Sequence, residues 1–237
     1  MTSSGGRLRD GRRRVLLVLD TATSRIVVGV AAPDGTLEGL MTWPAGHRHG
    51  ETLLPAIARL LGEANLRRSR IAGVVVGTGP GAFTGLRVGL ATAKGVARAA
   101  GVPIVGVPTS VALVTALSTI DGVDPARTVL VLPAGPSDRI VCRDGRLPRL
   151  LVSSDEPDVG PGDVLCAVDL QGRAPAEAVE RGERARSGLG VAMARIGARR
   201  LATGDADDLA TLVPEYVTLP RGVREAAGEV AWSHAHG

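Results

Sequence analysis

Aromatic side chains are nearly missing from this chain of 237 residues: two Trp, one Tyr and one Phe. Rings this sparse make base stacking a poor expectation, and they leave the core to Ala, Val, Leu and Gly. Lysine is almost absent too, since Lys94 is the one exception among 28 basic residues. That skew toward Arg reads as coding bias more readily than as function. Cysteine is limited to Cys142 and Cys166, which form no CxxC pair, so neither a disulfide framework nor a thiolate zinc site is indicated and a reducing cytoplasm is expected. The early arginine run precedes only "VLLVL", too short for a signal core or a membrane span. Finally, no Asp or Glu lies between Ala64 and Ile120.

The charge that is present is unevenly placed. Residues 1–14 hold Arg7, Arg9, Arg12, Arg13 and Arg14 against Asp10, which accounts for the whole net charge of +4. The remainder is balanced. This segment reads as a disordered basic tail; such a tail can touch RNA or acidic lipid, or simply stay in water.

Strands rich in β-branched residues are expected at 14–20, 25–32, 36–43, 71–77 and 102–107. Helices are expected from Glu51 or Thr52 to Leu66, from Phe83 to Ala100 and from Thr109 to Ile120. The first start is placed so that Pro55 falls in the first turn, and Thr109 or Ser110 is the expected cap of the third helix. After "DGVDPA" (121–126) come shorter strands near 128–133, 139–145, 147–153 and 163–169. Two further helices follow, at 174–183 and 187–203. The implied fold is α/β: two subdomains with mixed sheets covered by helices, each half able to open with a strand meander. The expected division is a tail (1–14), a first domain (15–110), a second α/β domain (111–215) and a C-terminal tail (216–237).

"VVVGTGPGAFTGLRVGLATAKGVARAAG" (74–101) has the grammar of strand, glycine loop and helix. A Walker loop is excluded because Lys94 lies inside the helix, far beyond Gly81. Gly77, Gly79 and Ala82 mimic a dinucleotide fingerprint, but the acidic ribose partner about 20 residues on is missing. Asp20-Thr21-Ala22-Thr23-Ser24 is a second candidate phosphate turn, with Ala22 where a close approach favours Gly. Asp20, Thr21, Thr23, Gly77, Gly79 and Gly81 are therefore read as vestigial phosphate-loop positions.

The helix after the loop carries Gly85, Gly89, Ala93 and Ala97 at i, i+4 spacing, a face of almost no size. Each helical Gly costs about 1 kcal/mol against Ala, so something must approach closely there. Two occupants are open: the chain's own sheet, or a helix of another subunit. The preceding helix, with Leu53, Leu54, Ile57, Ala58, Leu60, Leu61 and Ala64, has more apolar surface than one stripe needs. That favours the second. The candidate partner surface is His49, Glu51, Leu53, Leu54, Ile57, Gly85, Leu86, Arg87, Gly89, Ala93 and Lys94, with acidic or phosphate-bearing partners suited to the basic residues.

Over Val15–Ser110 the chain closely resembles the TsaB (YeaZ) family, relatives of TsaD in the actin/sugar-kinase/Hsp70-like (ASKHA, RNase H-like) superfamily. "LDTATSRIVVGV", "HGETLLPAI" and "VGTGPGAFTGLRVGLATAKGVARAAGVPIVGVPTS" carry the likeness. Further on it weakens: "LPAGPSDRIVC" (132–142) stands where the family has an Asp-Ala-Arg-Arg run, and Thr218 follows Tyr216-Val217 where the family has Arg. The resemblance implies a non-catalytic dimerisation subunit for a TsaD-like transferase making tRNA N6-threonylcarbamoyladenosine. It further implies a TsaE-like ATPase as partner, tRNA engaged through the complex, ATP used by the partners and no cofactor of its own; a homodimer when alone stays open. The competing readings are a stand-alone ATPase, kinase or M22-type peptidase, or a tRNA-binding module. No nucleophile motif is legible, and His47/His49 and His234/His236 lack neighbours at metal-ligand spacing.

Overall fold

The structure is a computed structural model describing residues 13–45 and 49–217. Strands β1 (Val15–Asp20), β2 (Arg25–Ala31) and β3 (Leu37–Pro44) form an antiparallel meander, with Leu17 opposite Val30 and Ile26 opposite Trp43. Strands β4 (Ile71–Gly79) and β5 (Ile104–Pro108) add in parallel, giving the order β3-β2-β1-β4-β5. β1 is buried along its whole length and β4 almost so, which is why both read as continuous apolar runs rather than alternating ones. Helices α1 (His49–Glu63) and α2 (Phe83–Ala100) cover the face carrying Leu17, Leu19, Val28 and Val74.

The second half repeats the plan. Strands β6 (Thr128–Ala134), β7 (Asp138–Cys142) and β8 (Arg149–Leu151) form a meander, and β9 (Val164–Ala167) adds in parallel to β6. The order β8-β7-β6-β9 matches β3-β2-β1-β4. Helices α3 (Thr109–Asp121) and α4 (Ala176–Ala202) lie between the sheets. Their Leu113, Leu117, Leu189 and Met193 join Leu16, Val18 and Val75 of the first sheet to Leu130, Leu132 and Ile140 of the second. The two halves thus share one core.

Three expectations are corrected. α1 starts at His49, before the expected Glu51 or Thr52, so Pro55 lies inside it; that residue is on the exposed side, where the distortion imposed by its ring meets water rather than core. α3 is preceded by Pro108 and has no side-chain cap, because the Thr109 hydroxyl is engaged elsewhere. The helices expected at 174–183 and 187–203 are a single helix, α4. Its glycines are contact points rather than breaks. A Cβ at Gly182 would lie 2.0 Å from the Ala167 carbonyl oxygen, one at Gly190 would lie 2.8 Å from Leu40, and one at Gly197 would lie 2.3 Å from Val75. One rod therefore rests on β9, β3 and β4 in turn.

After α4 the chain runs along the outer edge of β5. Asp207 bridges to Ile104, its carboxylate accepts the Gly106 N–H at 2.7 Å, and Arg200 donates to the Gly106 carbonyl at 2.7 Å. Tyr216 and Val217 close the described part; of the expected tails (1–14 and 216–237), residues 1–12 and 218–237 lie outside the described residues.

Two helical glycines should respond oppositely to a methyl group. Gly197→Ala should cost about 1–3 kcal/mol by overpacking against Val75. Gly95→Ala, with nothing within 4 Å of the added carbon, should gain about 0.5–1 kcal/mol from helix propensity. Urea unfolding of both variants checks the pair of signs.

Candidate functional site

The glycine loop and the β1–β2 turn are packed into each other. β1 delivers Asp20 fully buried. Its Oδ2 accepts from the Thr109 hydroxyl at 2.6 Å and its Oδ1 accepts from the Ala22 N–H at 2.9 Å. Thr109 in turn accepts from the Gly79 N–H at 3.1 Å. Gly77 is required opposite the carboxylate, since a Cβ there would lie 1.8 Å from Asp20 Oδ2. Gly81 faces the Ala22 carbonyl, which would be 2.2 Å from its Cβ, and the Ala82 N–H donates to that carbonyl at 2.8 Å. The Thr23 hydroxyl donates to the Arg25 carbonyl at 2.9 Å, at the start of β2. The positions read as a phosphate loop are thus brought together, and the chain's own turn fills the space against them.

The first helix turns continue the seat. A Cβ at Gly85 would lie 2.2 Å from the Thr21 carbonyl, and one at Gly89 would lie 2.1 Å from Thr21 Oγ1. That hydroxyl donates to the Gly85 carbonyl at 2.7 Å. Ala93 and Ala97 complete the stripe inside the core. The expected partner face at Gly85, Gly89 and Ala93 is therefore corrected: it is an internal face, occupied by Thr21. Leu53, Ile57 and Leu86 are also buried within the chain. Leu53 and Ile57 pack with the sheet residues Leu17, Val28 and Val74 in one core, where close packing leaves little room for a partner.

Other residues of that set do reach the surface. Glu51, Leu54 and Arg87 are exposed and Lys94 is half-buried; the side chain of His49 lies outside the described residues. Arg87 stacks 4.0 Å over Phe83 and donates to the Tyr216 hydroxyl at 3.0 Å, so the C-terminal strap holds it. Beside it runs a second small stripe the sequence reading overlooked: Ala91, Gly95 and Ala99, all exposed. With Leu54, Ile57, Ala58 and Leu61 they line a groove of about 900 Å³ between α1 and α2, rimmed by Arg68 and Ser69. The same i, i+4 spacing that flagged Gly85 and Gly89 would have flagged it.

Two further groups bear on chemistry. Cys142 and Cys166 are free and buried, and burial pushes both thiols up to about 12, which removes them as nucleophiles near neutrality. Among the described residues no group of three or more His, Cys, Asp or Glu side chains is placed to hold a metal ion, and no helix is long and apolar enough to cross a membrane. The cluster of Ser24, Asp169 and Arg186 was not foreseen, since its members lie far apart in sequence.

Residues 38–168, more than half of the chain, match the model of the family described as TsaD: tRNA N6-adenosine threonylcarbamoyltransferase. An uncharacterized Mycobacterium leprae protein is 43% identical over 97 residues, 39% of this chain and 27% of that protein. The Escherichia coli tRNA threonylcarbamoyladenosine biosynthesis protein TsaB is 33% identical over 94 residues, 40% of each. The chain thus spans less than half the length of these curated relatives. YeaZ from Pseudomonas aeruginosa has the same fold, with a TM-score of 0.63 at 22% identity over 86% of this chain and 99% of that one.

Asp20 gives the site a pH signature. Burial raises its pKa to about 6, against the lowering pull of the bonds from Thr109 and Ala22. Between about pH 4 and 6 the folded chain holds a proton that the unfolded chain has released, so stability falls as pH rises through that window. The cost is absent below it, complete above it, and on the order of 3 kcal/mol. Subtracting the unfolding free energy of Asp20→Asn from that of the native chain, from pH 4 to 7, should reveal this decline. A flat difference would contradict it.

Proposed function

From a chain that belongs to the TsaB/YeaZ family, related to TsaD, we propose a non-catalytic subunit that supports a TsaD-like transferase in making tRNA N6-threonylcarbamoyladenosine. One observation carries the reading: the pocket of the glycine loop is filled, whereas the α1–α2 groove is open. Thr21, Ala22 and Asp20 take the volume a phosphate would need. Nearby, Leu54 and Ala58 of α1 and Ala91 and Gly95 of α2 present apolar surface to solvent, and exposed apolar surface that a monomer has not buried marks an interaction site.

In this reading a helix of the transferase lies in the groove, and the small residues of α2 let its backbone come close. Arg68, which lines the groove, favours an acidic rim on that partner. ATP consumption belongs to the partner subunits, including a TsaE-like ATPase, and tRNA is engaged by the assembly rather than by this chain alone. The complex works in the cytoplasm, where two free cysteines persist. Without the transferase, a second copy can cover the same face. The chain is organised for this as an N-terminal part (15–110) that carries the groove and a second part (111–215) that braces it.

Co-expression with a tRNA N6-adenosine threonylcarbamoyltransferase tests the proposal. Leu54→Asp and Ala91→Asp each place a charge where docking would bury it, and should weaken association by roughly tenfold to a hundredfold. Their melting temperatures should stay near that of the native chain, because both positions are exposed. Leu147→Asp, at a distant residue 90% exposed, should change neither property. Undiminished association of both groove variants would rule this surface out.

A further inference from the structure

Where the β1–β2 turn meets α4, a carboxylate sits in a setting built for an oxyanion. Asp169 follows β9 with φ 59, a left-handed conformation uncommon for any residue but Gly, Asn and Asp. Its Oδ2 accepts the Ser24 N–H at 2.6 Å. Its Oδ1 accepts the Ser24 hydroxyl at 2.5 Å and an Arg186 Nη1–H at 2.6 Å. Arg186 Nη1 also donates to Ser24 Oγ at 2.7 Å, and its Nη2 is held by Glu183. The Asp169 and Arg186 side chains are 9% and 11% exposed.

A backbone N–H, a hydroxyl and a guanidinium converging on one anion are the donor set that recognises phosphate or sulfate. A structural ion pair needs only the Arg. Here the Ser24 main chain and side chain are turned to the carboxylate as well, and they come from the β1–β2 turn while Asp169 and Arg186 come from the other half of the chain. We propose that Asp169 is a built-in anion: it occupies an oxyanion cradle made by Ser24 and Arg186, excludes free oxyanions from it, and clasps the β1–β2 turn to α4. Tethering keeps the carboxylate at high effective concentration, so the native chain has no use for an external ion. This goes beyond the partner-docking role and does not depend on it.

Asp169→Gly keeps the backbone conformation and empties the cradle. The variant should melt below the native chain, and its Ser24–Ile26 amides should exchange faster with deuterium. Low-millimolar sulfate, compared with chloride at equal ionic strength, should raise its melting temperature by about 3 °C and slow those amides again. Native chain and the double variant Asp169→Gly/Arg186→Gln should show neither response, which separates the cradle from the general salting effect of sulfate. Asp169→Ser, also short enough to leave the cradle open but strained at this φ, should melt below Asp169→Gly and gain stability from sulfate in the same way. The proposal is overturned if the folded variants ignore sulfate, if the double variant responds equally, or if neither variant folds even with sulfate present.

Discussion

Thr21 has nowhere else to go. Its side chain and carbonyl enter a notch of α2 that exists only because residues 85 and 89 lack a Cβ, and its hydroxyl returns a hydrogen bond to that helix. With Thr21 seated, Asp20 is pressed beneath the glycine loop, Ala22 is tied to Ala82, and α2 is fixed against β1 and β4. The orientation of α2 then decides which of its faces meets water. Interiors packed near crystal density do not absorb displaced atoms, so this fit propagates outward rather than being lost locally.

The arrangement explains how a glycine loop can persist without holding a phosphate. In such loops glycine serves close approach, and close approach is indifferent to whether the visitor is a ligand or the chain's own turn. Here the visitor is internal. On the opposite side of the same helix, Ala91, Gly95 and Ala99 keep a second face smooth with no part of the described chain upon it. One helix thus has two small-residue stripes, one used for folding and one available for association. From the far half of the chain, Asp169 adds a third restraint on the turn that Thr21 anchors.

Much of the fold was legible. The β-branched runs read at 14–20 and 71–77, and the limits of α2, follow from patterns that propensity and punctuation describe well. What escaped has a common physical cause: periodicity says that a face is small, but not what touches it. Gly85 and Gly89 pointed to a close neighbour without saying that Thr21 would be that neighbour. In α4 a break was expected between 183 and 187, and local pattern does not reveal that a single helix runs through it along both sheets. Thr109 looked like a cap until Asp20, 89 positions away in sequence, took its hydroxyl. Ser24, Asp169 and Arg186 carry no local signal; only the tertiary fold brings them together.

A double-mutant cycle between residues 21 and 89 measures the central contact most directly. Alone, Gly89→Ala should cost about 1–3 kcal/mol by forcing a methyl group onto Thr21, and Thr21→Ala should cost about 1 kcal/mol for the lost hydrogen bond. Together they should cost less than the sum by at least about 1 kcal/mol, because removing the hydroxyl makes room for the methyl. Strict additivity in urea unfolding would mean that Thr21 does not occupy the notch, and the account of both faces of α2 would fail with it.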